Sequence, residues 1–119
     1  MNEPVCSPAL AKKLKKYGAP TDSDYCWVKG VLKKRDSTMK RAVPAYTDEE
    51  IFNIFPDYIL YPGTRYKAEL EETPTHKWRI YFSDGTYILN NHIITALTSV
   101  DAQAEMIIYL IEQDLFGYN

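Results

Sequence analysis

Cys6, Cys26, His76 and His92 are the residues of this chain best suited to hold a metal or to supply a nucleophile and its base. Their spacing argues against both uses. The cysteines form no C-x-x-C pair, and neither histidine belongs to an H-x₃-H or H-E-x-x-H pattern. A zinc site would have to gather all four from separate elements, whereas structural zinc sites take their ligands in close pairs. Cys6 precedes a helix start, where the dipole can lower a thiol pKa, but no histidine is near in sequence to serve as base. Cys26 lies in an apolar stretch. Both read as small packed thiols, and the sequence calls for no metal or other cofactor.

Carboxylates are plentiful. The stretch AYTDEEIFNIF (45–55) places Asp48, Glu49 and Glu50 in a row, and all three have a structural role. Thr47 is an N-cap and Glu50, three residues on, completes a capping box. Tyr46 and Ile51 have the spacing of a hydrophobic staple, while Asp48 and Glu49 sit where the helix dipole favours anions. Glu69 and Glu71 fall on the solvated face of an alternating strand, so a pair of catalytic carboxylates has only composition behind it. The five glycines form neither G-x-G-x-x-G nor a phosphate-binding loop. No catalytic residue is assigned.

Charge is the most functional-looking feature. The formal net charge is −2. Residues 1–41 hold ten Lys and Arg against four Asp and Glu, a net of +6; residues 42–119 hold four against twelve, a net of −8. Either the halves attract one another in the fold, or the molecule presents one basic and one acidic face to a partner. Lys12, Lys13, Lys15, Lys16, Lys33, Lys34, Arg35, Lys40 and Arg41, with Tyr17, Tyr25 and Trp27 as stacking platforms, have the composition of a nucleic-acid footprint. Lys12, Lys13, Lys16, Lys33, Lys34, Arg35, Lys40 and Arg41 are the candidate contacts. A solvated face and a flexible loop explain the same residues, and the pI of about 5.6 opposes a nucleic-acid role.

These side chains are carried by a chain of 119 residues, a length that suits one domain spanning 1–119. Ser7 as N-cap, Pro8 at the first helical position, Leu10, Leu14 and Tyr17 at helical spacing and Gly18 as the stop predict a helix over 8–17. DYCWVKGVLKK reads as one strand with a bulge at Gly30, followed by a polar loop at 33–41. A two-turn helix begins after Thr47 and stops before Pro56. PDYILYPGT, residues 56–64, reads as a connector with a Pro62-Gly63 turn. RYKAELEE alternates as a half-buried strand. WRIYFSDGTYILN reads as a hairpin about a two-residue Asp84-Gly85 turn, with Phe82 facing Tyr87, Tyr81 facing Ile88 and Ile80 facing Leu89. Residues 92–97 are compatible with a strand or a turn. A closing helix starts at Thr98, with Asp101 as a variant capping-box partner, and ends at Gly117. Its stripe of Val100, Ala104, Ile107, Ile108, Ile111 and Leu115 is expected to bury itself against the hairpin.

Four segments, VCSPALAKKLKKYG, YCWVKG, PAYTDEEIFNIFP and TSVDAQAEMIIYLIEQDLF, resemble in order the landmarks of a group of small bacteriophage and prophage proteins of unknown function. The closing helix is the most specific part. Val100 and Gln103 depart from the usual residues there, and 57–97 matches at Trp78. The resemblance implies a phage-derived origin and carries over no catalytic residue.

The expected fold is α+β: a three- to four-stranded, mostly antiparallel sheet packed against a long C-terminal helix, with two short helices at the sheet edges. No signal peptide or stretch of roughly 18–20 apolar residues is visible, so a cytoplasmic protein with reduced thiols and no membrane partner is expected. Tyr-rich edges (ten Tyr) and separated charge favour a non-enzymatic accessory protein that binds a protein partner or itself. A nucleic-acid-associated factor is the alternative, and a small enzyme is the least favoured reading.

Overall fold

The computed structural model describes residues 4–36, 38, 39 and 42–118. Along the chain run α1 (Pro8–Lys16), β1 (Tyr25–Val28), β2 (Val31–Lys34), β3 (Val43–Pro44), α2 (Asp48–Ile54), β4 (Tyr58–Leu60), β5 (Arg65–Glu72), β6 (Trp78–Ser83), a 3-10 turn (Leu89–Asn91), β7 (Ile94–Ala96) and α3 (Ser99–Glu112). The fold is α+β, with a four-stranded antiparallel sheet ordered β4-β5-β6-β7 against the C-terminal helix and two shorter helices. The chain also forms a second antiparallel sheet, ordered β2-β1-β3.

The helix ends follow from local chemistry. In α2 the capping box is complete: the Glu50 N–H donates to Thr47 Oγ1 at 3.2 Å, and the Thr47 N–H donates to Glu50 Oε1 at 2.9 Å. The staple residues Tyr46 and Ile51 lie in one buried cluster. The ends of α1 and α3 share a design in which a positive-φ residue lets the chain turn back on the last carbonyls. Gly18 (φ +88) donates to the Lys15 carbonyl and Ala19 to that of Leu14. At α3 this residue is Asp114 (φ +63): its N–H reaches the Ile111 carbonyl and that of Leu115 the Leu110 carbonyl. The helix therefore stops at Glu112, ahead of the expected Gly117. The second capping box is half formed. Thr98 Oγ1 accepts from the Asp101 N–H, but the Asp101 carboxylate takes the Ser7 N–H at 2.9 Å.

Several strand expectations need correction. DYCWVKGVLKK is a hairpin: Val28 pairs with Val31, and Lys29 (φ +50) and Gly30 (φ +78) form the two-residue turn where one strand with a bulge was expected. Lys33 and Lys34 therefore belong to β2 and not to the polar loop. The supposed connector contains β4, which pairs with β5 ahead of the Pro62-Gly63 turn. The Asp84-Gly85 turn is longer than two residues. Asp84 Oδ1 accepts the Thr86 and Tyr87 N–H groups, the Asp84 N–H donates to the Tyr87 carbonyl, and the first cross-strand bridge is Ser83 with Ile88. A carboxylate that satisfies the turn's own donors stabilises this wider loop and shifts the register by two. Tyr87 is left exposed, and β6 takes β7 as its second neighbour, with Ile80 opposite Ile94.

The core lies on two sides of α3. Val100, Ala104, Ile107 and Ile108 pack with α1, Tyr46 and Ile51. Ala102, Met106 and Leu110 pack with Ile59, Ile80, Phe82 and Leu89 of the larger sheet. The expected stripe thus rests on the helical side, and a second stripe covers the sheet. Both short helices pack on α3, and α1 also packs on β3, the end strand of the smaller sheet. Ile80 and Phe82 share the buried face of β6, as alternation requires.

Candidate interaction surfaces

The basic residues singled out from sequence are spread over separate elements. Lys12, Lys13 and Lys16 are exposed on α1. Lys33 and Lys34 are exposed on β2, an edge strand, and their side chains leave opposite faces: Lys33 pairs with Cys26 and Lys34 with Tyr25. Arg35 is half buried and tied down, its N–H donating to the Asp24 carbonyl at 2.8 Å and its guanidinium to the Thr21 carbonyl. Lys40 and Arg41 lie outside the described residues. Of the stacking candidates, Trp27 packs on the helical cluster and donates its indole N–H to the Cys6 carbonyl at 2.9 Å. The Tyr17 hydroxyl donates to Glu112 Oε2 at 2.8 Å, and Lys13 Nζ lies 3.9 Å from the same oxygen. Attraction between the basic and acidic halves is thus visible between α1 and α3 in the Lys13–Glu112 pair, which is exposed and individually weak.

Both cysteines are buried and unpaired. Burial, with a smaller push from Asp101, raises the Cys6 thiol far above its ordinary range, opposite to what a position beside a helix start suggests. Cys26 Sγ contacts Met39 Sδ at 3.3 Å. His76 sits in an exposed turn and His92 stacks flat on Tyr109, ring centroids 3.6 Å apart. Among the described residues no three His, Cys, Asp or Glu side chains converge as a metal site would require.

Two of the concave surfaces among the described residues border α3. The first is a groove of about 380 Å³ between β7 and α1, floored by α3. Leu10, Ile94 and Ile108 supply its apolar part, and Lys13, His92, Glu105, Tyr109 and Glu112 its polar part. Asn90 Nδ2 donates to the Tyr109 hydroxyl at 3.0 Å, and partial burial followed by the nearby Asp101 charge pushes Glu105 upward. The β7 strand is the end strand of its sheet, bonded to β6 on one side. Around it Ile93 and Leu97 are 45% and 76% exposed, and the run Ile93–Leu97 contains no charge and no proline.

The second is a groove of about 310 Å³ formed by Phe52, Leu70 and Trp78, with Asp48 and Glu49 on its rim. Asp48 is held in place: Oδ2 accepts from Ser99 Oγ at 2.7 Å and Oδ1 from Gln103 Nε2 at 3.0 Å. Phe52 is 67% and Leu70 40% exposed. Away from α3, the outer sheet face carries alternating charge and aromatics, with Arg65 over the Tyr58 ring at 4.3 Å and Arg79 paired with Glu71.

Neither groove stands out in the sequence. A signal for the first was the uncharged segment 93–97 between polar neighbours, and for the second the apolar residues on more than one side of a two-turn helix, Ile51, Phe52, Ile54 and Phe55. Among the described residues no helix is long and apolar enough to cross a membrane. Comparison of the chain with protein-family models, with curated proteins and with solved structures finds no match.

Proposed function

We propose that this chain is a phage-derived, non-enzymatic accessory protein of the cytoplasm that acts by binding another protein, and that the free edge of β7 is its binding element. The observation that carries the reading is the character of that edge. Proteins blunt exposed edge strands by keeping them short, or with lysine, proline, a bulge or a covering loop, because unpaired backbone groups recruit other chains; of these devices β7, three residues long, has the first. Here Ile93–Leu97 has neither a charge nor a proline, carries two exposed apolar side chains, and borders the groove of about 380 Å³. An extended segment added to β7 would gain main-chain hydrogen bonds from the edge and specificity from the groove. Glu105 and Glu112 face that groove against one cation, Lys13, so the segment that fits carries lysine or arginine among alternating apolar residues. Unpaired Cys6 and Cys26 suit a reducing compartment.

Selection from a displayed library of short random peptides tests the reading. The expected outcome is enrichment of alternating apolar and basic sequences, with added amide-exchange protection at residues 93–97. Leu97→Lys and Ile93→Lys change exposed positions and are expected to weaken binding by about tenfold or more. Failure to enrich any sequence pattern, or binding indifferent to both substitutions, overturns it. A single-stranded oligonucleotide run in parallel addresses the alternative: steeply salt-dependent binding lost on reversing Lys33 and Lys34 would transfer the assignment to nucleic acid.

A further inference from the structure

We propose that copies of this chain associate head to tail, the tip of the β1–β2 hairpin of one copy seated in the Phe52–Leu70–Trp78 groove of the next. This goes beyond the β7 reading and rests on different residues. The tip is an exposed apolar point with basic neighbours. Val31 is 55% exposed beside the Lys29-Gly30 turn, and cross-strand pairing puts Lys33 on the same face as Val31. The groove has the opposite character. Phe52 and Leu70 are exposed beside Trp78, the rim carries Asp48 and Glu49, and among the described residues no lysine or arginine lines it.

The occupant follows from complementarity of both shape and charge. A branched aliphatic side chain flanked by two ammonium groups meets an aromatic slot flanked by two carboxylates. The wider chain repeats the pattern, with +6 over residues 1–41 and −8 over 42–119. The rim is also preorganised, since Asp48 is fixed by Ser99 and Gln103 before any partner arrives. Tip and groove are different surfaces, so the contact is heterologous, and repetition yields a chain or a closed ring. One hairpin tip in a groove of about 310 Å³ is a small contact, which places the association in the weak, concentration-dependent class.

Sedimentation velocity of the full chain over a rising concentration series, at low and at high salt, provides the test. The wild type is expected to self-associate, less so at high salt. Val31→Asp, Glu49→Lys and Phe52→Ala alter exposed side chains, and each is expected to weaken association by about tenfold or more, with a cooperative unfolding transition showing that the fold is kept; the midpoint of Glu49→Lys should fall modestly because it reverses a charge at the start of α2. A mixture supplies the sharper readout. Val31→Asp keeps its groove and Phe52→Ala keeps its tip, while the two altered surfaces are both acidic and repel, so together they should form a heterodimer and nothing larger. Leu97→Lys should leave self-association intact, and Val31→Asp should leave peptide capture at β7 intact, which separates failure here from failure of the proposed function. A monomer at every concentration, association indifferent to Val31→Asp and Glu49→Lys, or association abolished by Leu97→Lys alone overturns the inference.

Discussion

Gln103 Nε2 donates to Asp48 Oδ1 at 3.0 Å, joining the first turn of α2 to α3. Gln103 is a buried polar side chain in an otherwise apolar stretch of α3, and its second contact is the Ser99 carbonyl at 3.3 Å. Asp48 also accepts from Ser99, so one carboxylate ties together two helix starts whose exposed N–H groups favour a negative charge. Removing one partner of a buried polar group costs more than the net worth of the bond, because the group left behind stays desolvated.

Asp48→Ala is therefore expected to lower stability by about 1–3 kcal/mol, most of it through the stranded amide of Gln103. Asp48→Asn, which keeps an acceptor but loses the charge, should fall between. Urea midpoints of the three proteins check the order, and an unchanged midpoint for Asp48→Ala would remove this tie from the account of how α2 is held.

What the sequence revealed, and what it hid, divides by range. The capping box of α2 was legible because its partners are three residues apart, and α1 because Pro8 and Gly18 bracket it. Alternation in β5 and β6 was legible for the same reason. The tie from Asp48 to Gln103, the Ser7–Asp101 bond and the Cys6 burial depend on residues brought together by the fold, and no local pattern encodes them. The two-sided burial of α3 is not legible because Ala102, Met106 and Leu110 form a second helical stripe beside the first, and neither stripe marks the whole apolar face. Glu50 shows both cases at once: Oε1 completes the local box, while Oε2 accepts the distant Asp24 N–H at 2.9 Å.

The β1–β2 turn went unrecognised because lysine is an unusual residue at φ +50, where asparagine, aspartate or glycine is preferred. That strain is removable. Lys29→Asn is expected to raise stability by a few tenths to about 1 kcal/mol. Gly30→Ala is expected to lower it by about 1 kcal/mol. A Cβ at Gly30 meets nothing within 4 Å, so the cost is purely that of φ +78. Thermal or urea denaturation of both variants reads the signs, and a stabilising Gly30→Ala would contradict the turn geometry.

Stability should fall in alkali. Burial, first among the causes in each case, raises the Cys6 thiol above its ordinary 9.0 and the Tyr46 and Tyr118 phenols above their ordinary 10.0. Neighbouring groups add to it: Asp101 for Cys6, Cys6 and Glu50 for Tyr46, and Tyr46 for Tyr118. Above about pH 9 the unfolded chain releases these protons while the folded chain keeps them, so stability declines as pH rises; below that value both states are protonated and the contribution is complete. Guanidinium midpoints measured from neutral pH to about pH 11 should be level and then drop. Tyr46→Phe removes one titrating group and should flatten the decline, while losing the 2.6 Å bond from its hydroxyl to the Pro20 carbonyl. Midpoints level throughout would mean that these groups are not buried as described.

Adjacent residues of α3 serve different cores, and this can be measured. Met106 packs toward the larger sheet and Ile107 toward α1 and Tyr46. Both are almost completely buried, so each change to Ala is expected to cost about 2–5 kcal/mol. Sharing a helix turn but no buried neighbours, they should combine almost additively, with a coupling below about 0.5 kcal/mol in a double-mutant cycle. Phe55 is different. It stacks on Phe82 with centroids 5.7 Å apart and also packs against the helical cluster, so Phe55→Ala should couple to both Met106→Ala and Ile107→Ala. A coupling above about 1 kcal/mol between Met106 and Ile107 themselves would show one continuous core around α3, and the division into two packed sides would have to be abandoned.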